Sequence, residues 1–442
     1  MTPVTVIGGG LAGSECALQL AARGVPVRLV EMRPVTSTPA HHTGALAELV
    51  CSNSLKAERH GSAAGLLKEE LDLMGCRLLA IARGCSVPAG GALAVDRERF
   101  SEAVTRAVEA EPLIEVVREE ATELPEGPCV VAAGPLCSEP LFRAVEALLA
   151  SGGDAAPLAF YDAAAPIVDA DTLDRSVVFS QDRYDAESAG AYLNCPMDRE
   201  EYERFIDALT TAERTVSKEF ERGDLFQACQ PAEEVARTGR DALRYGAMKP
   251  VGLTDPRTGR RPWAVVQLRA ENAQRTAYNL VGFQTNLTWP EQRRVFRMIP
   301  GLEGAEFFRY GVMHRNTFID SPRRLDRTFR APGTQVRFAG QITGTEGYVE
   351  AMASGLLAAL NTYADLTGAA PVELPVTGAL GSLVAYATDP ATTGYQPMHV
   401  NFGLFPPLED RPRKKRERQE AYADRALTDL EAYLATRGDL QL

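Results

Sequence analysis

The chain has 442 residues, of which 45% are hydrophobic and 24% are charged, and its formal net charge is −12. This length allows two or three domains, and no apolar run approaches the ~20 residues that span a bilayer. The acidic balance argues against a general nucleic-acid-binding protein. Because the N-terminal residues lack the basic region of a signal peptide, we expect a cytoplasmic protein.

A dinucleotide-binding unit is predicted at the N-terminus. The β-branched run Val4–Ile7 predicts a buried parallel strand, which leads directly into a glycine-rich turn. The pattern then predicts a helix over Ser14–Ala22 and a second strand over Val25–Val30. The cofactor-contacting positions of this unit are Gly8, Gly9, Gly10, Leu11, Ala12, Gly13 and Glu31.

Each of these positions has a physical task. Gly8 allows the tight turn, Gly10 lets the backbone approach a pyrophosphate, and Gly13 permits close packing of helix and strand. The helix N-terminus offers unpaired N–H groups to the phosphates. Glu31 ends the second strand, where its carboxylate can accept hydrogen bonds from ribose hydroxyls.

The continuation of the chain favours FAD over NAD. A helix over Arg97–Glu109 and strands over Ile114–Arg118 and Cys129–Ala133 are expected of a glutathione-reductase-type FAD domain. Far downstream, a strand ending at Gly340 and a helix starting after Gly347 form a second strand–glycine–helix junction. Such a junction suits a flavin, whose ring needs a second helix N-terminus.

We therefore predict an α/β fold in which a discontinuous FAD-binding Rossmann domain carries an inserted α+β substrate domain. The expected division is 1–150 and 330–442 for the FAD-binding parts and 151–329 for the insertion. No second strand-linked glycine fingerprint and no Cys-x4-Cys pair occur, so any nicotinamide must dock transiently on the flavin. The Gly/Pro-rich stretch 87–91 predicts a loop or small excursion.

The insertion is basic although the chain is acidic. We expect in it a helix over Arg199–Glu221 and strands over Trp263–Leu268 and Tyr278–Phe283. Residues 235–335 contain 18 Lys/Arg and 8 Asp/Glu, and a second basic run, RPRKKRER, occupies 411–418. Such runs are commonly solvated helix faces, and a polyanion-binding face is the alternative.

The eight cysteines are scattered, and none has the spacing of a metal or dithiol site, so no metal is expected. Cys16 and Cys129 fall within predicted elements and are expected to be structural. Cys51 and Cys229 have polar, turn-forming neighbours instead. Lys56, close to Cys51, would favour its thiolate.

Several segments resemble the flavin- and folate-dependent tRNA (uracil-5-)-methyltransferases, which are related to flavoproteins that modify the wobble uridine. The resemblance covers nearly the whole chain and is carried by 48–56, 225–231, 245–253, 267–272, 281–287, 310–317 and 340–353.

This resemblance implies a reaction and its participants. The one-carbon unit of 5,10-methylenetetrahydrofolate passes to C5 of the T-loop uridine of tRNA. Reduced FAD supplies the hydride, and NAD(P)H re-reduces the flavin. By motif the catalytic residues are Cys51 and Cys229, with Cys229 favoured as the nucleophile at C6 and Cys51 as the base, although the two roles could be exchanged.

Three other functions are compatible with the residues. One is a flavin-dependent NAD(P)H oxidoreductase that acts on a small molecule. Another is a flavin-carrying RNA-binding protein without turnover. The third is the wobble-uridine pathway, in which a separate GTPase takes part.

Overall fold

The computed structural model describes residues 2–38, 40–150, 158–183, 190–215, 230–311 and 313–440. Its helices are α1 (Leu11–Ala22), α2 (Ala63–Leu73), α3 (Arg77–Gly84), α4 (Arg97–Glu109), α5 (Glu139–Leu149), α6 (Arg199–Thr211), α7 (Ala232–Thr238), α8 (Ala242–Tyr245), α9 (Trp289–Phe296), α10 (Ser321–Arg324), α11 (Tyr348–Thr367), α12 (Ala379–Thr388) and α13 (Lys415–Ala435). Its strands are β1 (Val4–Ile7), β2 (Val27–Val30), β3 (Ser54–Ala57), β4 (Ser86–Val87), β5 (Ala92–Val95), β6 (Ile114–Val117), β7 (Cys129–Val131), β8 (Leu158–Ala163), β9 (Ile167–Asp169), β10 (Phe179–Ser180), β11 (Tyr192–Met197), β12 (Ala264–Ala270), β13 (Ala277–Leu280), β14 (Phe307–Arg309), β15 (Met313–Phe318) and β16 (Val336–Phe338).

A five-stranded parallel sheet in the order β16-β7-β1-β2-β6 forms the centre of the first region. Its short strands are rich in valine because both faces of a parallel sheet are covered. In β7, Cys129 lies between Thr5 of β1 and Val336 of β16, so the late strand joins the early unit directly. The expected return of the chain to the first domain is thus observed.

Two helices, α1 and α11, pack closely against each other over this sheet. A Cβ added at Gly355 would lie 2.2 Å from the carbonyl oxygen of Ala12, so only glycine allows the contact. A Cβ at Gly13 would lie 1.8 Å from the carbonyl oxygen of Gly8, so the helix can approach the turn this closely only with glycine there. Both helices begin at the carboxyl edge of the sheet.

A small three-stranded sheet, β3-β5-β4, forms an excursion from the first region. Residues 88–91 connect β4 to β5, as expected of the Gly/Pro-rich stretch. The segment that carries Cys51 runs directly into β3.

The insertion has its own core beneath a six-stranded antiparallel sheet, β10-β11-β12-β13-β9-β14. The chain enters and leaves it through a two-stranded antiparallel ribbon of β8 and β15. After the ribbon, the chain returns to the hydrophobic core that surrounds the parallel sheet, where it contributes Phe318, Ile319, Leu325 and Phe329.

One expected helix is wrong in length. The predicted helix over Arg199–Glu221 begins correctly at a capping box of Asp198 and Glu201, but it ends at Thr211. The backbone of Ala212 is extended, and Thr215 then donates its N–H to the carbonyl of Asn286. Pairing with the 286–287 segment replaces the helix there, and residues 216–221 lie outside the described part.

Helix α11, which was expected to start after Gly347, begins at Tyr348 and extends over 20 residues to Thr367. Among the described residues, no helix combines the length and apolar character that crossing a membrane requires.

Candidate active site

A cavity of about 460 Å³ lies where the strands β1, β2 and β7 end and the helices α1 and α11 begin. Its wall includes the glycine-rich turn, residues 132–138, the Gly340–Gln341 pair and the first turn of α11. Gln284 and Asn316 border it from the insertion side. The cavity therefore lies between the two cores.

The glycine-rich turn has the geometry expected of a phosphate-binding loop. Gly8 has φ of 104°, and a Cβ there would lie 2.5 Å from the carbonyl oxygen of Ala132. A Cβ at Gly10 would meet no atom within 4 Å and would project into open space. Leu11 and Ala12 form the first turn of α1 and line the cavity.

Glu31 lies on the cavity wall with both oxygens already engaged by the protein. Its Oε2 accepts the N–H of Gly9 at 2.7 Å, and its Oε1 accepts the Nε of Arg33 at 2.8 Å. Burial alone would raise the pKa of Glu31, but the Arg33 guanidinium and these hydrogen bonds outweigh burial and lower it. The ionised carboxylate has lone pairs left for a ribose hydroxyl.

The second junction brings α11 to the cavity. Gly340 has φ of 80°, and its N–H donates to Oγ of Ser354 at 2.7 Å. Gly347 has φ of 123°, and a Cβ there would lie 2.1 Å from Oε2 of Glu350. That carboxylate oxygen is buried and has no hydrogen-bond partner among the described atoms.

Lys56, which the sequence placed close to Cys51, pairs with a carboxylate of α11. Its Nζ lies 3.0 Å from Oε1 of Glu350. The sequence distance between Lys56 and Cys51 does not reveal this pairing.

Cys51 is half-buried on the cavity wall, and one of its partners is Tyr348, the first residue of α11. The Tyr348 hydroxyl accepts the backbone N–H groups of Cys51 at 3.0 Å and Ser52 at 3.2 Å. The Cys51 Sγ lies 3.1 Å from the same hydroxyl. Burial, and then the adjacent thiol, raise the pKa of Tyr348, so the hydroxyl remains protonated.

Strand β12 of the insertion holds the Cys51 loop from the other side. Arg269 donates from Nε to Oδ1 of Asn53 at 2.8 Å and from Nη2 to Oγ of Ser52 at 2.9 Å. The Asn53 amide donates in turn to the carbonyl oxygen of Ala270 at 2.9 Å. The insertion thus fixes the residues immediately after Cys51.

A second arginine, Arg97, fixes the residues before Cys51. It donates from Nη1 to the carbonyl oxygen of Leu49 at 2.6 Å and pairs from Nε with Glu271 at 2.8 Å. Although burial opposes it, the carboxylate of Glu271 raises the pKa of Arg97. Arg97, Arg269 and Tyr348 were not singled out from the sequence, and only the position of Tyr348 directly after Gly347 signals a site residue.

Comparison with known proteins identifies the family. The family model described as "Glucose inhibited division protein A" matches residues 3–370. A protein of Geobacter sulfurreducens named methylenetetrahydrofolate--tRNA-(uracil-5-)-methyltransferase TrmFO is 57% identical over 435 residues, which cover 98% of this chain and 99% of that protein. The chain belongs to this methyltransferase group within the glucose inhibited division protein A family.

Other members of the methyltransferase group agree with this assignment. The Heliobacterium modesticaldum protein of the same name is 55% identical, and that of Bacillus cereus (strain G9842) is 54% identical, each over 98% of both chains. The solved structure of Aquifex aeolicus GidA (form II crystal) has a TM-score of 0.70 at 17% identity and covers 100% of this chain and 74% of that one. This likeness shows the fold and confirms the predicted Rossmann-type α/β class.

The structure describes only part of the segment that contains the second candidate cysteine. Cys229 lies outside the described residues. The described chain resumes directly after it, where Ala232 donates its N–H to the carbonyl oxygen of Gln284 at 2.7 Å. Glu233 accepts from the Asn286 N–H at 2.6 Å, so the segment that follows Cys229 is tied to the loop carrying the cavity residue Gln284.

The remaining cysteines of this family member fit structural roles. Cys16 and Cys195 are fully buried, and burial raises their pKa strongly. Burial likewise raises the pKa of Cys129 to about 12 and that of Cys137 to about 12. Cys137 does line the cavity, on the side of residues 132–138. Within the described chain, no three His, Cys, Asp or Glu side chains cluster as a metal site would require.

His41 lies on the wall of this cavity. The ring Nδ1 of His41 lies 2.6 Å from Oγ1 of Thr38, and burial lowers the pKa of His41 to about 4. A neutral His41 therefore borders the cavity at ordinary pH.

The insertion contains three arginine clusters, at 257–261, 293–297 and 323–330, and only part of their charge is neutralised. Ion pairs join Arg257 to Asp255, Arg294 to Glu291, Arg323 to Asp320, and Arg330 to Asp326 and Asp365. Within the described ranges, the exposed arginines of these clusters without an ion pair are Arg260, Arg261, Arg293 and Arg327.

Proposed function

We propose that this chain transfers the one-carbon unit of 5,10-methylenetetrahydrofolate to C5 of the T-loop uridine of tRNA and yields 5-methyluridine. FAD is its bound cofactor, and NAD(P)H is the reductant. The observation that supports this proposal most directly is the position of Cys51. This half-buried cysteine contacts a tyrosine hydroxyl on the wall of a dinucleotide-sized cavity. The methyltransferase names of relatives 53–57% identical over 98% of the chain support the choice of reaction.

The residues present fit FAD. The open space beside Gly10 is where a side chain would displace a pyrophosphate, and the α1 N-terminus lies beside it. Glu31 would hold the ribose, while Gly340 and Gly347 border the part of the cavity next to α11. When bound and reduced, the flavin supplies the hydride that turns the transferred carbon into a methyl group.

The hydrogen bonds around Tyr348 favour a thiolate at Cys51. A hydroxyl has one proton to donate and two lone pairs to accept with. The N–H groups of Cys51 and Ser52 occupy the lone pairs, so the proton is left for Sγ at 3.1 Å. A sulfur that accepts this proton in a hydrogen bond is stabilised as its anion.

The two proposed cysteines then divide the chemistry of uracil. C5 is a poor nucleophile until a thiolate adds to C6 and creates an enolate. We assign this addition to Cys229. After the new C5–carbon bond forms, the C5 proton must leave, and the Cys51 thiolate accepts it as tetrahydrofolate departs from the new carbon. Addition of the hydride to that carbon completes the methyl group, and expulsion of the Cys229 sulfur as thiolate restores the C5–C6 double bond.

The position of the insertion suits a substrate-positioning role. Arg269 and Glu271 both lie at the end of β12 that contacts the Cys51 loop, and Gln284 borders the cavity. We assign residues 151–329 to substrate and tRNA recognition, and residues 1–150 and 330–442 to FAD binding.

Methyl transfer to unmodified tRNA tests this function. The purified flavoprotein is given methylenetetrahydrofolate labelled in its one-carbon unit together with NADPH. Cys51→Ala and Cys229→Ala are compared with Cys137→Ala, which removes another cavity thiol. We expect label in 5-methyluridine with wild type and Cys137→Ala and none with the other two variants.

Two results would overturn the proposal. NADPH oxidation without labelled tRNA, in a protein that retains FAD, would indicate a flavin oxidoreductase acting on a small molecule. Full methylation by Cys51→Ala would remove Cys51 from the chemistry.

A further inference from the structure

The basic run 411–418, RPRKKRER, lies apart from the cavity walls on the loop before α13 and in its first turn. Most of its side chains are exposed, and those of Lys414 and Arg416 are 80% and 81% exposed. Nothing in the reaction described above requires charge at this place.

The run opposes the stability of its own helix. Lys414 is the N-cap residue of α13 and makes no side-chain cap, although serine, threonine, aspartate and asparagine are preferred there. Lys415, Arg416 and Arg418 follow in the first turn with a single acid, Glu417, at the positive end of the helix dipole, where acidic residues are stabilising. Because these charges destabilise the N-terminus of α13, we infer that they serve to bind a partner.

Part of this charge is free to bind. Lys414 pairs with Glu417 at 2.8 Å, and Arg416 pairs with Glu420 at 2.9 Å. Arg411, Arg413 and Lys415 are exposed and, within the described chain, make no ion pair. These three exposed cations occupy alternate positions of the sequence.

The run is anchored close to the cavity. Asp424 of α13 lies 3.1 Å from Nε2 of His60, and a Cβ at Gly61 would lie 3.1 Å from Cγ of Glu420. Lys56, five residues before Gly61, lines the cavity. Five residues reach at most ~18 Å, and the helix rises ~1.5 Å per residue, so Lys415 lies within about 30 Å of Lys56.

A second path of contacts leads to the same place. His399 lines the cavity, and the ring of Phe402 stacks on Tyr422 of α13 with centroids 5.5 Å apart. A distance of 30 Å corresponds to roughly one turn of an A-form RNA helix. One RNA stem-loop can therefore occupy the cavity and the run together.

We propose that the run 411–418 is a docking surface for the phosphodiester backbone of the tRNA whose uridine enters the cavity. This inference rests on the proposed function and names the surface that the substrate uses. The chain as a whole carries a net charge of −12 and repels a polyanion, so a local row of unpaired cations is needed to orient the stem. The free side chains Arg411, Arg413 and Lys415 supply that row.

The test compares a variant that lacks these three cations with a control variant that loses three positive charges elsewhere on the surface. The docking variant is Arg411→Ala, Arg413→Ala and Lys415→Ala in the full-length flavoprotein. The control variant is Arg106→Ala, Arg143→Ala and Arg204→Ala, three exposed arginines on α4, α5 and α6. Both variants change the net charge equally, and FAD content and Tm are measured for each.

We measure the Kd for unmodified tRNA between roughly 50 and 200 mM salt, the range over which phosphate contacts dominate. In the docking variant we expect Kd and KM for tRNA to rise about tenfold or more, while kcat at saturating tRNA stays within twofold. The slope of log Kd against log salt should fall by about 2, since each phosphate contact contributes about 0.7–0.9. The Tm should stay equal or rise, because the cations oppose the α13 dipole.

Unchanged Kd and salt slope in the docking variant, or an equal loss in the control variant, would overturn the docking surface. So would unaltered tRNA affinity combined with lost binding to vesicles containing anionic lipid. If wild type binds tRNA but never methylates it, the proposed function fails and the binding measurements still decide the surface.

Discussion

Arginines at the Cys51 loop and arginines in the run 411–418 have the same formal charge but opposite surroundings. Arg97 and Arg269 are nearly buried, and their hydrogen bonds reach Leu49, Ser52 and Asn53 around the cysteine. The free cations of the run face water. The first set acts inside the fold as positioning groups, and the second set can act only on something outside it.

This contrast separates two kinds of effect. A buried charge whose partner is removed destabilises the protein, and salt changes that effect little. An exposed, unpaired charge adds little to stability, and its attraction for phosphates is strongly salt-dependent. Removing members of each set should therefore change different measurements.

The largest loss of stability is expected for Glu271→Gln. This change leaves the Arg97 guanidinium nearly buried without its carboxylate, which typically costs about 3–5 kcal/mol. Chemical denaturation measures the loss, and Glu306→Gln, an exposed site in the same insertion, is the control. A double variant, Arg97→Met with Glu271→Met, should recover part of the loss, and a loss under about 1 kcal/mol in Glu271→Gln would contradict the buried ion pair.

A smaller but more specific loss is expected for Arg269→Met. Ser52 and Asn53 lose hydrogen bonds from a charged group, worth roughly 1.5–3 kcal/mol in total stability. Because the Cys51 loop loosens, kcat for tRNA methylation should fall about tenfold while KM for tRNA changes little. Arg275→Met, at an exposed arginine just after β12, is the control, and equal kcat in both variants would contradict a positioning role.

His60 connects the first region to α13 and gives a modest pH dependence. Glu69 and Asp424 raise the pKa of His60 above its ordinary value, so the stabilisation is complete below about pH 6.5 and is lost as the pH rises through the higher folded-state pKa. Since the pairs are exposed, we expect only about 0.5 kcal/mol. Unfolding of wild type and His60→Gln at acidic and alkaline pH measures it, and a difference that grows with pH would reverse the assigned sign.

The smallest effect is expected for Arg294→Ala in the insertion. Arg294 pairs with Glu291 on the same helix, so its removal should change stability by less than about 0.5 kcal/mol. Because Glu291 already neutralises this arginine, the salt slope of tRNA binding should also stay as in wild type. If the salt slope of tRNA binding fell as much as in the docking variant, phosphate contacts would lie on α9 as well. The contrast between the neutralised arginine and the free cations of the run 411–418 would then be wrong.

The dinucleotide unit could be predicted closely from the sequence. Residues 4–31 form a local pattern in which each strand, turn and helix follows the previous one directly, and α4 spans the expected Arg97–Glu109. Gly8 and Gly13 could be assigned because backbone conformation and close packing admit only glycine there. Cys51 could be proposed because polar residues surround it in the sequence.

The support of Cys51 could not be predicted in the same way. Tyr348 is 297 residues from Cys51 in the chain, and Arg269 is 216 residues from Asn53. Lys56 pairs with Glu350 of α11. Such partners depend on how distant elements pack, which no local pattern encodes.

The sequence by itself determined the Rossmann unit, the late return of the chain to it, and the positions of both basic regions. These properties depend on local conformational preference, periodicity and charge. Only the tertiary structure decided which charges are neutralised, which remain free beside α13, and which two sides hold Cys51. A side chain's electrostatic role depends on its burial and its neighbours in space, and folding brings those neighbours from hundreds of residues away.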